Sequence, residues 1–152
     1  MITVEPQPPR KRAPSANEEA KLQAEFHLWY TNVWYQNPKA LWATFNEGKN
    51  TGQRRSMGMV PGAPDLFYYE KWNRGLGGLE VKFPGTCHNV EHLICQAEFI
   101  LDVCDFGGFV DGVDQFQRII RGENCWISPQ KVVEYCRSVK TGSIVWKGEL
   151  FI

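Results

Sequence analysis

The run 79–83 (LEVKF) constrains the fold more than any other segment, because apolar and charged side chains alternate along it. A period of two is typical of a β-strand, whose successive side chains point to opposite faces. We therefore expect the apolar members of the run to face the core. Glu80 and Lys82 are expected to lie side by side on the other face. Any half-exposed strand alternates in this way, so the pattern alone indicates no function.

Asp65 gives this strand a chemical partner. The preceding residues 61–64 (PGAP) favour an extended or turning backbone, and 65–69 (DLFYY) is typical of a strand. The segment 73–78 predicts a short hairpin connection between the two strands. Pairing of these strands would bring the Asp65 carboxylate beside that of Glu80.

The three charged side chains together suit phosphodiester hydrolysis. Two facing carboxylates repel each other unless a cation lies between them. Mg²⁺ fits such a pair, because it prefers oxygen ligands and keeps waters for a phosphate and a nucleophile. Lys82 could orient or deprotonate the attacking water, or stabilise the charge of the transition state. Asp65, Glu80 and Lys82 therefore form the candidate catalytic set.

The order of these residues resembles a known nuclease motif. Pro64-Asp65, followed after a hairpin by Glu80-x-Lys82, resembles the PD-(D/E)XK pattern. The likeness is greater to the VRR-NUC branch, which occurs alone in phages and fused to larger repair nucleases. It extends over roughly residues 18–121. The further matching segments are Asn46-Glu47-Gly48, Gly62-x-Pro64-Asp65-Leu66, Gly78 to Lys82, Gln96, and Glu19 with Gln23.

The resemblance implies an α/β fold with a restriction-endonuclease-like core, in which helices flank a mixed central sheet in the order α-β-β-β-α-β, followed by C-terminal helices. It implies that Asp65, Glu80 and the Val81 backbone carbonyl bind Mg²⁺ or Mn²⁺, and that Lys82 is the catalytic lysine. Gln96 would face the site from the next helix, although a solvated amide explains it nearly as well.

Two further groups of residues are candidates for the same site. Glu19 would approach the metal from the first helix, and Glu18 or Glu25 could take its place. Basic and polar residues between the first two strands are candidates for contacting nucleic acid. These residues are Asn46, Lys49, Arg54 and Arg55.

Helical periodicity and capping signals predict the remaining elements. A helix is expected from Asn17 to Gln36, with Leu22, Phe26, Trp29, Tyr30 and Val33 on its apolar stripe. The other predicted helices are 90–104, ended by Gly107-Gly108, then 114–121, and 129–139 with Ser128 as its cap. The other predicted strands are 40–45, 109–110, and a strand pair or extended tail over 143–152.

Composition shifts predict three segments. Residues 1–16 hold four of the nine prolines and a basic triplet, so they are expected to form a flexible arm. Residues 17–122 would be the nuclease core and 123–152 a C-terminal extension packed on it. The first 60 residues carry eight Lys or Arg and five Asp or Glu, and 61–122 carry five and nine. Ordinary charge scatter explains this small difference better than a phosphate-binding region does.

Several classes of protein are disfavoured. No stretch approaches the roughly 18 apolar residues that cross a bilayer, and no secretory signal is evident, so we expect a cytoplasmic protein of a bacterium or a phage-infected host. Five cysteines without a CxxC pair indicate reduced thiols. Cys87, His88, His92 and Cys95 could bind zinc, but their spacing matches no common pattern. Gly75-x-Gly77-Gly78 lacks the following helix of a phosphate loop.

The leading functional hypothesis is a metal-dependent endonuclease acting on branched DNA, such as a Holliday junction. One small site cannot reach two scissile phosphates, so a homodimer is expected. Trp34, Trp42 or Trp146 could supply its interface, although core packing explains them equally well. The alternatives are a non-catalytic DNA-binding module that keeps the fold, favoured by the zero net charge, and a sequence-specific restriction or homing enzyme.

Overall fold

The computed structural model describes residues 16–34, 41–43, 62–69, 75–140 and 142–152. Within these ranges the chain is a mixed α/β protein with a small mixed sheet and four helices. The helices are α1 (Ala16–Trp29), α2 (Val90–Val103), α3 (Val113–Ile120) and α4 (Pro129–Val139). The strands are β1 (Leu41–Ala43), β2 (Leu66–Tyr69), β3 (Leu76–Val81), β4 (Cys87–Asn89), β5 (Phe106–Val110) and β6 (Ser143–Val145).

The main sheet has the strand order β1-β2-β3-β5. β1, β2 and β3 form an antiparallel meander, and β5 pairs parallel to β3. A parallel neighbour requires a crossover connection, which here contains α2. Asn89 starts that helix, because its side-chain oxygen accepts a hydrogen bond from the backbone N–H of His92 at 3.1 Å.

Two apolar clusters pack against this sheet. One joins α1 and α3 to the sheet, and the rings of Phe26 and Phe116 stack with their centroids 4.4 Å apart. The other joins α2 and α4, and includes Leu93, Phe109 and Val132. β3 lies between these clusters, so its residues 77–81 are buried whichever way they point.

A second, two-stranded sheet lies beside the first. β4 pairs antiparallel with β6, and a 3₁₀ turn (Gly148–Phe151) follows β6. This sheet joins the start of α2 to the C-terminal part of the chain. β6 lies in the segment predicted only as a strand pair or extended tail, and β4 was not predicted.

Several predicted boundaries are confirmed and others are wrong. α4 begins and ends where predicted, and Ser128 caps it. Asn17 is the second residue of α1 rather than its cap, and the end predicted at Gln36 lies outside the described residues. Val33 is exposed rather than buried. It lies in a π-helical turn (Tyr30–Trp34), where the longer turn rotates later residues away from the helical stripe.

Glycines account for the largest errors in the predicted elements. The segment predicted as a hairpin connection contributes Gly77 and Gly78 to β3, and the pair predicted to end α2 lies within β5. A Cβ atom at Gly77 would collide with the rings of Tyr68 and Phe106, and one at Gly107 would collide with the backbone carbonyl of Gly78. These glycines therefore permit close packing within the sheet rather than a turn.

Other expectations have mixed outcomes. All five cysteines lie in described positions and form no disulfide, as predicted. Leu101 is exposed although it lies one helical turn after the buried Ala97, and Trp146, considered for a dimer interface, is fully buried. No helix in the described ranges is long and apolar enough to span a membrane.

Candidate functional site

Asp65 lies immediately before β2, where the strand register sets it opposite Glu80. Leu66 pairs with Leu79, so the residues just outside this pair face each other across the antiparallel ladder. Asp65 is one residue before the strand that it was predicted to open. Its Oδ2 accepts a hydrogen bond from the backbone N–H of Val81 at 2.8 Å. This contact fixes the aspartate carboxylate at the end of β3.

Glu80 is the most buried carboxylate of the site, with 1% of its surface exposed. Its Oε1 accepts a hydrogen bond from Gln96 Nε2 at 2.6 Å and another from Lys82 Nζ at 3.4 Å. Among the described residues, no donor reaches its Oε2, and Gln96 Oε1 also lacks a partner. Two buried oxygens therefore lie close together without a hydrogen-bond donor, which is costly unless another group satisfies them.

The surroundings of Glu80 disfavour its charged form. Burial is the largest cause that raises the pKa of this carboxyl well above its usual 4.5, followed by the charge of Asp65. Protonated Glu80 can donate a hydrogen bond to Asp65, which acts in the same direction, whereas the ammonium of Lys82 opposes the shift. Two close carboxylates in a low-dielectric environment compete for one negative charge. A bound cation would remove this competition.

The Val81 carbonyl is directed to the same edge. The backbone N–H of Lys82 donates to Val110 O at 3.0 Å and so points toward β5. In a trans peptide the C=O and N–H groups point in opposite directions. The Val81 carbonyl consequently points away from β5, toward the side of β3 on which Asp65 lies. Asp65, Glu80 and this carbonyl thus supply oxygen atoms around one end of β3.

Lys82 lies one residue beyond β3 and has 3% of its surface exposed. The prediction that it lies beside Glu80 is confirmed, with 3.4 Å between Nζ and Oε1. The face that these side chains share is buried rather than solvated, because α2 covers it and contributes Gln96. A lysine held this way presents a fixed positive charge beside the two carboxylates.

Glu19 reaches the same region from α1. Its Oε1 lies 3.4 Å from the backbone N of Phe83, 3.2 Å from Thr86 Oγ1 and 3.2 Å from His88 Nε2. Burial alone would raise its pKa, but the hydrogen bond from His88 and the charge of Lys82 outweigh burial and lower the pKa.

The other acids of α1 point elsewhere. Glu18 lies 3.8 Å from Lys21 on the outer side of the helix. Glu25 is exposed. Of the three carboxylates considered on this helix, Glu19 is therefore the one that the fold brings to the site.

Three polar residues of this region received no role from the sequence pattern. Thr86 and His88 contact Glu19 directly. His92, in the first turn of α2, has a lowered pKa, mainly because of burial and further because of Lys82 and His88. The sequence favoured a polar surface near a site for His88 and His92 over a zinc site, and it gave neither histidine a specific partner. Nothing in their local pattern indicates that a carboxylate 69 positions before His88 would pack against it.

The donor set fits a divalent cation that prefers oxygen ligands. Mg²⁺ is commonly held by one or two carboxylates, with waters and substrate phosphates completing its shell. Asp65, Glu80 and the Val81 carbonyl could supply such a partial shell, and the donor-free Oε2 of Glu80 is an available ligand atom. In the described residues no three His, Cys, Asp or Glu side chains form a cluster of the kind that encloses a metal. The zinc group considered from Cys87 to Cys95 is accordingly not assembled.

The remaining candidates lie outside this geometry. Asn46, Lys49, Arg54 and Arg55 fall outside the described residues. A cleft of about 530 Å³ is lined by residues between Asp111 and the C-terminus, and none of the acid or lysine side chains above contributes to it.

Comparison with known proteins gives no relative for this chain. No protein-family model, no curated protein and no solved structure matches it significantly. Function is therefore inferred from the geometry of the site and from the sequence motif that it contains.

Proposed function

We infer that this protein is a Mg²⁺- or Mn²⁺-dependent DNA endonuclease with a PD-(D/E)XK site on a restriction-endonuclease-like core. One observation carries the inference. Glu80 is buried beside Asp65 and Lys82, and one of its carboxylate oxygens has no donor among the described residues. A buried carboxylate with a strongly raised pKa, beside a lysine and a second acid, is more typical of a functional site than of a structural one.

The element order supports the same inference. Apart from the short β4, the main elements follow one another as α1, three antiparallel strands, α2 and a strand parallel to the third. This is the order that the resemblance to the VRR-NUC branch implies. Asp65 and Glu80 lie at the adjoining ends of the second and third strands, where the motif requires them.

Each residue has a definite task in this proposal. Asp65, Glu80 and the Val81 carbonyl would hold the cation, which supplies Lewis-acid polarisation of the scissile phosphate when bound. Lys82 orients the attacking water and stabilises the charge that develops on the phosphate. The Gln96 amide nitrogen donates to Glu80 Oε1 and thereby leaves Oε2 of that carboxylate for the cation. The attacking water gives up a proton as it adds to phosphorus, one of the two P–O bonds to sugar breaks, and the leaving sugar oxygen takes up a proton, so that the net change is addition of OH and H across that bond.

The substrate and assembly are part of the proposal. DNA is the substrate class that the resemblance implies, and branched DNA is preferred within that class. The zero net charge argues against strong sequence-independent attraction to any duplex. Paired cuts in a branched molecule need two sites, which a symmetric homodimer provides.

Cleavage of end-labelled linear, flapped and four-way DNA, with Mg²⁺, with Mn²⁺ and with EDTA, tests the proposal. We expect cation-dependent cutting that is fastest on the four-way substrate. Asp65→Asn should abolish it, and Lys82→Ala should slow it by about 10²–10³-fold, as expected for loss of one group that stabilises the charge developing in the transition state. The exposed Asp102 and Lys147 provide matched controls, and Asp102→Asn and Lys147→Ala should cut at the rate of the unaltered protein.

Three outcomes would contradict parts of the proposal. Undiminished cutting by folded Asp65→Asn or Lys82→Ala protein would refute the site assignment. No calorimetric heat with Mg²⁺ or Mn²⁺, together with no cutting of any substrate, would favour a non-catalytic module. Cutting of plasmid DNA at one sequence without a preference for junctions would indicate a restriction or homing enzyme.

A further inference from the structure

His88 contacts both the acid of α1 and the hydroxyl that lies beside it. Its Nε2 lies 3.2 Å from Glu19 Oε1 and 2.6 Å from Thr86 Oγ1. The Thr86 hydroxyl donates to the backbone carbonyl of Phe83 at 2.7 Å, which leaves its lone pairs available to an N–H donor. An Nε2–H group on His88 can therefore serve both oxygens. The side chain is 12% exposed, so these contacts compete little with solvent.

The C-terminal strand supports His88 from its other side. In the β4–β6 ladder His88 pairs with Ile144. Trp146 N donates to Thr86 O at 2.7 Å, and Gly85 N donates to Trp146 O at 2.9 Å. The rings of His88 and Trp146 meet edge to face at 6.2 Å. The segment that carries Thr86 and His88 is thus fixed by backbone hydrogen bonds to Trp146, near the C-terminus.

Glu19 needs such support if it is to act at a defined position. A glutamate on a helix has several rotatable bonds, and holding it in one conformation costs side-chain entropy. Its contacts come from residues 83–88, directly after Lys82. The only partner among these with a charge-bearing side chain is His88. Loss of the imidazole would leave the carboxylate with a 3.4 Å backbone contact and a hydroxyl whose single proton already goes to the Phe83 carbonyl.

We propose that His88, acting with Thr86, is a positioning residue that holds the Glu19 carboxylate at the cation site beside Lys82. This inference rests on the proposed function, because it assigns Glu19 a place beside the cation. His88 itself contacts neither the cation nor the substrate. It acts through Glu19.

Paired substitutions distinguish positioning from general structural support. His88→Leu and Thr86→Val remove the hydrogen-bonding groups, whereas His88→Gln keeps an N–H at the ε position and Thr86→Ser keeps the hydroxyl. His27, also on α1 but two turns beyond Glu19, provides the control His27→Leu. The measurements are Mn²⁺ affinity by titration calorimetry, and kcat and KM on four-way DNA at fixed Mn²⁺. Thermal melting shows which variants fold.

We expect His88→Leu and Thr86→Val to weaken Mn²⁺ binding or kcat by about 10–100-fold, the usual effect of losing a partner of a metal-site residue, with KM for DNA changed little. His88→Gln and Thr86→Ser should restore most of the loss, and His27→Leu should match the unaltered protein. If His88→Leu does not fold, the Thr86 pair carries the test.

Distinct results would overturn each level of the inference. Unaltered Mn²⁺ affinity and kcat in folded His88→Leu and Thr86→Val proteins would refute positioning while leaving the nuclease proposal intact. Equal losses in His88→Leu and His88→Gln would mean that the imidazole itself contacts the reacting groups. Absence of both Mn²⁺ binding and cleavage in the unaltered protein would remove the proposed function, and the positioning role with it.

Discussion

Replacing Glu80 by glutamine keeps the shape of the side chain but removes the charge that its surroundings oppose. The amide oxygen can accept the hydrogen bonds that Oε1 now accepts from Gln96 and Lys82. The amide nitrogen then supplies a donor at the position of Oε2, beside the Asp65 carboxylate. Relief of one unsatisfied buried group corresponds to about 1–3 kcal/mol of unfolding free energy. For a chain of this size that is a rise of roughly 3–9 °C in Tm.

The size of this effect should depend on pH. Burial first, and then the charge of Asp65, raise the pKa of Glu80 above 4.5 in the folded protein, whereas the unfolded chain ionises near 4.5. As pH rises above 4.5, the unfolded state therefore loses this proton before the folded state does. The folded protein with Glu80 is destabilised progressively until its own pKa is passed. Glu80→Gln lacks this loss, so its advantage should be small below pH 4.5 and grow toward neutral pH.

Urea unfolding in EDTA, followed by tryptophan fluorescence across pH 4–8, measures this difference. Adding Mn²⁺ should then stabilise the unaltered protein, by about 2.7 kcal/mol when the ion is at 100 times its Kd, and should not stabilise Glu80→Gln. Glu25→Gln is the matched control, because Glu25 is exposed on α1. A Glu80→Gln protein no more stable than the unaltered one at pH 7–8 in EDTA would refute this account of the site.

Two further predictions concern the scaffold. Gly107→Ala should lower the unfolding free energy by about 1–3 kcal/mol, the cost of overpacking, because φ is +143° there and a Cβ atom would meet the carbonyl of Gly78. Gly122→Ala is the control, since φ is +101° there but the space around it is open, and it should cost less. Equal losses of unfolding free energy in the two variants, measured by urea unfolding, would contradict the close-packing explanation. Ser128→Ala should cost about 1 kcal/mol through loss of the α4 cap, measured in the same way, and an unchanged midpoint would mean that this cap contributes nothing.

The neighbourhood of the three charged residues could be predicted because it depends on local rules. A strand period of two places Glu80 and Lys82 on one side, and a hairpin that pairs Leu66 with Leu79 brings Asp65 opposite Glu80. β3 starts at Leu76 rather than at the predicted residue 79, but this difference in length does not alter which residues face each other. The proximity of the set therefore survived errors in the strand boundaries.

The burial of the set could not be predicted from the strand. Alternation predicts one core face and one solvated face, but α2 packs on the second face and covers Glu80 and Lys82. That packing depends on residues of α4, such as Val132, which join α2 in the second apolar cluster. Such contacts between distant parts of the chain leave no trace in a five-residue pattern.

Glycine signals were ambiguous for a related reason. Gly77-Gly78 and Gly107-Gly108 are typical of turns when considered locally, yet both pairs lie in strands. Whether such a glycine lies in a turn or in a strand depends on which atoms a side chain at that position would contact. At Gly107 the obstacle is the backbone of Gly78, which is remote in sequence and adjacent in the sheet.

The choice among Glu18, Glu19 and Glu25 shows the same limit. All three are charged residues on one helix, and periodicity alone leaves more than one free to approach the sheet. Selection comes from residues 83–88, which present an N–H, a hydroxyl and an imidazole to Glu19. The backbone of these residues is in turn held by Trp146.

Burying the charged side chains of Glu80 and Lys82 costs free energy that a strand with only a structural role would not need to spend. Apolar residues of similar size at both positions would pack against α2 without burying charge, and such replacements are often neutral or stabilising in other proteins. Yet Glu80, Lys82 and Gln96 form one buried polar group in which two oxygens lack a donor from any part of the chain that the structure describes. A fold that only needed stability would gain by losing this group. The presence of this group in a well-packed strand is therefore an argument that a ligand completes it. Comparing Glu80→Gln with the unaltered protein, with and without Mn²⁺, measures both the cost of the buried carboxylate and the stabilisation by the cation.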